Sequence, residues 1–254
     1  MAKILSAVGL TKRFTGVTAL DKLDIEVESG SVHAIIGPNG SGKTTFFNVV
    51  TGLLPATAGN VYLESKDITN LKPHVITKMG ISRTFQIAVV FPMMTCLENV
   101  MAGAYSWNKT DVLGTLLRLP FTRSVQEEAI KRQALELLQL VGLDGSAERL
   151  GRQLGWMEWR LLEIARALAA KPKLLLLDEP TAGMGVEEAR IVENTIRHIR
   201  ATGITIILVA HDVRLVTEVS NRVTVINFGQ RISEGTPMEI QNDPRVLEAY
   251  LGSE

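Results

Sequence analysis

Cysteine is almost absent from this 254-residue chain, where Cys96 stands alone. A single thiol excludes a disulfide framework and a cysteine-built metal site, and it suits a reducing compartment. Excess charge is missing as well. Lys and Arg number 27 and Asp and Glu 27, a formal net charge of zero, which argues against a protein that holds nucleic acid on a basic face. Long apolar runs are also lacking. The longest, 174–177 and 204–210, are strand-sized and fall far short of the roughly 20 residues of a membrane-spanning helix. No charged-then-apolar leader pattern opens the chain, and no repeat at solenoid periods or low-complexity tract interrupts it. The expectation is a soluble chain whose membrane role comes through a partner. With 46% apolar residues there is material for a sizeable core, in one large or two modest domains.

Among the features present, the run Gly37, Pro38, Asn39, Gly40, Ser41, Gly42, Lys43, Thr44 is the most informative. It meets the phosphate-loop pattern G-x-x-x-x-G-K-[ST] at every fixed position. The apolar stretch 31–36 before it reads as a strand, and the stretch from Thr45 to Val50 after it as the start of a helix. Glycines let successive N–H groups curl toward a phosphate, and the helix start adds the positive end of its dipole. Lys43 can then reach the β- and γ-phosphates, the Thr44 hydroxyl can ligate Mg²⁺, and Thr45 completes the nucleotide-binding set. A second signal is the apolar run 174–177 closed by Asp178 and Glu179. A buried strand ending in two carboxylates puts them at the edge of the sheet where a phosphate loop lies. There Asp178 can hold Mg²⁺ through its water shell, and Glu179 can polarise a water that attacks the γ-phosphate.

Strands are expected at 3–9, 23–29, 31–36, 60–65, 174–178 and 204–210, with two short ones after Arg222. Helices are expected at 45–53, from about Met157 to Ala169 and from Val186 to Arg200, with an amphipathic segment from Arg245 to Leu251. The block 92–172 reads as mostly helical. Thr95–Glu98 and Ser124–Glu127 have the form of capping boxes, the second leading into a helix that Gly142 ends. Between them, 105–121 looks like a helix–loop insertion. The fold expected is α/β: a phosphate-loop NTPase with a mixed central sheet, an antiparallel β segment near the N-terminus, and an inserted helical subdomain. The nucleotide-binding core would take 1–86 and 173–254, and the helical subdomain 87–172.

Taken together, these residues resemble the ATP-binding-cassette ATPases, the nucleotide-binding subunits of transporters, and most closely those of branched-chain amino acid importers. The likeness covers nearly the whole chain. Arg83-Thr-Phe-Gln86 is similar to that family's glutamine loop, 161–168 to its signature helix, and 240–244 with 249–252 to its C-terminal extension. The resemblance implies an ATPase using ATP and Mg²⁺, with Phe14 stacking on adenine, Gln86 sensing Mg²⁺, and His211 contacting the γ-phosphate and orienting the attacking water. It implies transmembrane permease subunits, a second ATP-binding subunit and, indirectly, a substrate-binding protein as partners, no nucleic acid, and a peripheral place on the cytoplasmic face of the membrane.

The likeness breaks at the signature. The family's Leu-Ser-Gly-Gly-Gln is here Leu154-Gly155-Trp156-Met157-Glu158. Gly155 stands at the serine position, so a hydroxyl is lost. Met157 stands at the second glycine, where a side chain obstructs the close approach of a phosphate. Gly185 stands where the family carries Asp or Asn. In a head-to-tail pair each ATP lies between one phosphate loop and the other chain's signature. This chain would therefore offer an intact loop and a degraded signature, and a heterodimer is expected. Two alternatives stay open: a regulatory subunit that binds ATP and barely hydrolyses it, and Trp156, Met157 and Trp159 simply packing against the insertion.

Overall fold

The computed structural model describes residues 2–86, 88–105 and 120–251. Contacts divide the chain into two units, Met1–Gln86 with Lys173–Glu254, and Ile87–Pro172. In chain order the elements are β1 (Lys3–Phe14), β2 (Val17–Glu28), β3 (Val32–Ile36), α1 (Lys43–Val50), β4 (Ala58–Leu63), β5 (Lys66–Asp67), α2 (Pro73–Met79) and β6 (Ile81–Arg83). Then come α3 (Cys96–Tyr105), α4 (Pro120–Leu140), α5 (Trp156–Ala169), β7 (Leu174–Asp178), α6 (Val186–Ala201) and β8 (Thr205–Val209). The chain continues with α7 (Val213–Val219), β9 (Arg222–Asn227), β10 (Gln230–Gly235), α8 (Pro237–Gln241) and α9 (Pro244–Leu251).

The first unit holds two sheets. One is antiparallel, in the order β2-β1-β4-β5, and the other has six strands in the order β10-β9-β3-β8-β7-β6. In the second, β9, β3, β8, β7 and β6 run parallel and β10 returns antiparallel along β9. Every residue of β3, β7 and β8 is buried. That explains why they are mostly Val, Ile and Leu, since a parallel strand covered on both faces has no side to give to polar residues. α1 lies in the shared core: Phe46 and Phe47 are fully buried in a cluster with Leu5, Leu23 and Ile25 of the antiparallel sheet and Leu174, Leu176 and Ile207 of the parallel one.

In the second unit, Thr95 and Glu98 form a reciprocal box at the start of α3: the Thr95 N–H donates to Glu98 Oε2 at 2.8 Å and the Glu98 N–H to Thr95 Oγ1 at 3.1 Å. Gly142, with φ +79°, closes α4, its N–H bonded to the Gln139 carbonyl while that of Leu143 reaches Leu138, the Schellman arrangement.

Several expectations need correction. β1 and β2 are each twelve residues long, because the first strand does not stop at Gly9. That residue takes φ +57° in an irregular stretch of the β1–β2 register, and glycine accommodates the distortion. The phosphate-loop helix starts at Lys43 rather than Thr45. Ser124–Glu127 is no helix start, since α4 already runs from Pro120; the Pro fixes a helical φ at the first position, where its missing N–H costs nothing. Strands β5 and β6 and helices α2, α7 and α8 were too short for their periodicity to register. Most of the expected insertion at 105–121 lies outside the described residues.

β3 carries one buried ionisable group. His33 is 1% exposed, and its Nε2 shares a 2.8 Å hydrogen bond with Thr224 Oγ1 of β9. Burial pushes its pKa down to about 4 from the ordinary 6.5, with a smaller upward influence from Glu234. The unfolded chain therefore takes up a proton that the folded chain refuses. Stability should be full above pH 6.5 and fall by up to about 3 kcal/mol as the pH drops toward 4. Denaturant unfolding across that range should show a weaker pH dependence in His33→Gln than in the parent; equal slopes would rule His33 out as the cause.

Candidate active site

Loops leave the C-terminal ends of β3, β6, β7 and β8 at one edge of the parallel sheet, and each carries a residue with a candidate role. Gly37 follows β3, Gln86 lies three residues past the end of β6, Glu179 follows β7, and His211 comes two residues after β8.

The glycine loop is held close to its surroundings. Gly37, Gly40 and Gly42 take φ of +153°, +76° and +112°. A Cβ on Gly37 would stand 2.0 Å from the Ile226 carbonyl oxygen, and one on Gly42 would stand 2.5 Å from that of Ala19. Only glycine fits either position. The β9–β10 turn braces the loop through the Gly229 N–H on the Ser41 carbonyl, 2.8 Å. Lys43 is buried, and its Nζ donates to the carbonyl oxygens of Gly37 at 2.8 Å and Pro38 at 2.9 Å. Burial lowers its pKa, opposed by Glu179 and Asp178. A cation held by weak neutral acceptors inside a glycine loop fits an anionic ligand. Gly42 caps α1 without any side-chain bond, so no side chain competes for the first-turn amides. Asn39, Gly40 and Thr44 are exposed, and Pro38 and Thr45 half-buried.

Phe14 is 45% exposed at the end of β1, paired with Val17 across the hairpin turn. Ala19 and Leu20, two and three residues past Val17 on β2, are the residues packed against Gly42. An open aromatic ring thus sits a few residues from the loop, with the Lys12 amine 5.0 Å from its centroid.

Three side chains meet at the other side of the edge. His211 Nε2 lies 2.9 Å from Glu179 Oε1, and Gln86 Nε2 donates to Glu179 Oε2 at 3.3 Å. Glu179 takes φ +48°, and its N–H bonds the Val209 carbonyl at 2.8 Å. A left-handed glutamate costs of order 1–3 kcal/mol and persists only where its surroundings impose it. His211 is followed by Asp212, whose carboxylate caps α7 by accepting from the Arg214 and Leu215 N–H groups. Asp178 is 2% exposed. Its carboxylate is paired with Arg83, Nη2 to Oδ2 at 2.7 Å.

The expected loop residues, Asp178, Glu179, Gln86 and His211 thus come together, and Phe14 stands at the end of the hairpin that packs on the loop. Among the described residues no cluster of three or more His, Cys, Asp or Glu could hold a metal by itself. A Mg²⁺ here would take its remaining oxygens from phosphates and water, as is usual for that ion. Sequence reasoning assigned no role to Arg83, to Asn48, which accepts from Arg83 Nη1 at 2.6 Å, or to Tyr250. The Tyr250 hydroxyl accepts from the Gly37 N–H while burial raises its pKa. Nothing local in the sequence announced these three roles.

The second unit carries the altered signature at the start of α5. The Gly155 N–H donates to Glu158 Oε2 at 2.8 Å, and Arg149 Nη1 pairs with Glu158 Oε1 at 2.6 Å. Partial burial pushes the Glu158 carboxyl up, but the Gly155 N–H and Arg149 outweigh it and hold the carboxyl below its ordinary value. Trp159 Nε1 donates to the Gly151 carbonyl at 2.7 Å, its ring 6.5 Å from that of Trp156.

A profile described as ABC transporter matches residues 20–182, and one described as branched-chain amino acid ATP-binding cassette transporter matches residues 230–254. The chain is 38% identical over 250 residues, 98% of each chain, to the high-affinity branched-chain amino acid transport ATP-binding protein LivG of Escherichia coli strain K12. The same identity and coverage relate it to the corresponding protein BraF of Pseudomonas aeruginosa. Among solved structures, the ADP conformation of MJ1267, an ATP-binding cassette of an ABC transporter, superposes with a TM-score of 0.87 at 35% identity over the full length of both chains.

Glu179 should be separable from nucleotide binding. Glu179→Gln keeps the size of the side chain but replaces the carboxylate by a neutral amide. It should lower ATP turnover by roughly 10²–10⁴-fold and leave ATP affinity unchanged by equilibrium titration. Turnover close to the parent's would remove Glu179 from the chemistry.

Proposed function

This chain belongs to the ABC transporter family and is an ATP-binding, ATP-hydrolysing subunit of that family, and from that premise we propose its cargo, its partners and the work of each site residue. The observation that carries the assignment of roles is the convergence of Glu179, His211 and Gln86 on the edge that also holds the lysine-filled glycine loop. Phe14 stacks on the adenine. The loop amides from Asn39 to Thr45 and the Lys43 amine receive the β- and γ-phosphates. Thr44, Asp178 and Gln86 would hold a Mg²⁺, which when bound would supply charge neutralisation on the phosphate oxygens. Glu179 takes the proton of the attacking water, and His211 orients that water and contacts the γ-phosphate. Phosphoryl transfer asks little covalent work of a protein, so positioning and charge carry the rate.

The proposed cargo is a branched-chain or related amino acid. Support comes from the match of residues 230–254 and from the printed roles of LivG and BraF. The chain works with transmembrane permease subunits from the cytoplasmic face of the membrane and indirectly with a substrate-binding protein. Among the described residues no helix is long and apolar enough to cross a membrane. That fits a peripheral subunit.

The partner cassette is a different chain. A dimeric cassette bound to ADP and Pi shares this fold at a TM-score of 0.76 and 25% identity, over 92% of this chain and 98% of the other, so head-to-tail pairing is the premise. The α5 end that would face a partner's γ-phosphate offers no hydroxyl at Gly155 and a thioether at Met157. Its Glu158 carboxylate already occupies the Gly155 N–H. A carboxylate at a helix N-terminus uses the positive end that a phosphate would otherwise meet.

Purified alone, the chain should turn over ATP slowly. Gly155→Ser with Met157→Gly should raise the rate about tenfold or more, since a Cβ at 155 meets only Glu158 Oε2 at 3.7 Å. Brisk hydrolysis by the unmodified chain alone, or no gain from the double variant, would sink the heterodimer.

A further inference from the structure

The guanidinium of Arg83 touches three nucleotide-handling segments at once. Nη2 donates to Asp178 Oδ2 at 2.7 Å and Nη1 to Asn48 Oδ1 at 2.6 Å. The guanidinium carbon lies 5.2 Å from the ring centroid of Phe47 and the same distance from that of Phe85. The Arg83 and Asp178 side chains are 6% and 3% exposed. Asn48 lies four residues beyond Thr44, one turn along the same face of α1, and Phe85 is bonded to Gln86. The residues contacted are therefore Asp178 itself and the close neighbours of Thr44 and Gln86.

A buried carboxylate is costly unless it is paired. A lysine could neutralise Asp178 as a point charge, but only a planar fork holds a carboxylate and an amide on separate nitrogens of one rigid group. This geometry does more than neutralise. It commits Oδ2 to Arg83 and leaves Oδ1 as the oxygen free to meet the water shell of a metal. It also fixes the carboxylate relative to α1 and to the strand that leads into Gln86.

We propose that Arg83 is a positioning residue for the Mg²⁺ site, tying Asp178 to the phosphate-loop helix through Asn48 and to the glutamine loop through Phe85. This rests on the reading of Asp178 as the Mg²⁺-side carboxylate. Outer-shell partners of that kind are worth about 10–100-fold in metal affinity.

The test uses the full chain and a fluorescent ATP analogue, first in EDTA and then with Mg²⁺ added back, alongside thermal unfolding. Arg83→Lys should bind the analogue in EDTA as the parent does and need about tenfold more Mg²⁺ for half-effect. Asn48→Ala keeps the ion pair and removes only the second anchor. It should shift the Mg²⁺ midpoint in the same direction by a smaller factor, and it decides the matter if the lysine variant does not fold. Asp178→Asn is the control for the underlying reading. If it leaves the Mg²⁺ midpoint unmoved, that reading fails and the proposal with it. If it moves the midpoint while folded Arg83→Lys and Asn48→Ala do not, the proposal alone is overturned and Arg83 is only a structural ion pair.

Discussion

Parallel pairing of short buried strands fixes where every reactive group stands. The β3, β7 and β8 strands are held in register, Asp178 opposite Val209 and Ile35 opposite that same residue on the other side. All parallel strands end at one edge, so the first residues past each end are delivered to a common place without any one loop having to reach far. The interior of these strands has no room for polarity. Asp178, His33 and Thr205 are the exceptions, and each has a partner: Arg83, Thr224 and the Gly30 N–H. The sheet pays in apolar sequence for a rigid edge, and the edge carries the chemistry.

That rigidity lets the site hold unfavourable states before any nucleotide arrives. Lys43 is a buried cation satisfied by two carbonyl oxygens rather than an anion. Glu179 is a non-glycine residue with positive φ, held by Val209, His211 and Gln86. The glycine loop runs so near the carbonyls of Ile226 and Ala19 that a methyl group would collide with either. Each is a local cost that the packed core around Phe46 and Phe47 can carry. An anionic ligand would relieve the first, since burial is what depresses the Lys43 amine. Preorganisation of this kind does its reorganising during folding, not during the reaction.

The legible part of the site was the part whose chemistry demands fixed spacing along the chain. The glycine loop with its lysine and threonine and the carboxylates closing an apolar run were each readable within about ten residues. Resemblance then supplied Phe14, Gln86 and His211. What stayed hidden depends on distant partners. Arg83 meets Asp178 across 95 positions of sequence and Asn48 across 35. Tyr250 reaches Gly37 from near the far end of the chain. The Ser124 box misled for the opposite reason: a capping pattern is local, and a proline four residues upstream already supplied a start. The large elements were legible from periodicity, while β5, β6 and α2 were too short to show any.

The two ends of the proposed ATP cycle are built from different parts of this chain, and that separation explains how one can change while the other does not. The loop, Asp178, Glu179, Gln86 and His211 all lie in the first unit, where Gln86 and His211 both bond to Glu179. Glu158 answers to Gly155 and Arg149 in the second. Replacing a serine and a glycine at the start of α5 by glycine and methionine therefore disturbs no bond of the hydrolytic edge. The helix compensates locally, with Glu158 capping its own first turn and Trp159 tied back to Gly151. A helix end that satisfies itself is stable without a ligand, and for the same reason it has less to offer one. In the heterodimer proposed above, the chain would keep the groups proposed to cleave its own ATP while giving little to the ATP of its partner.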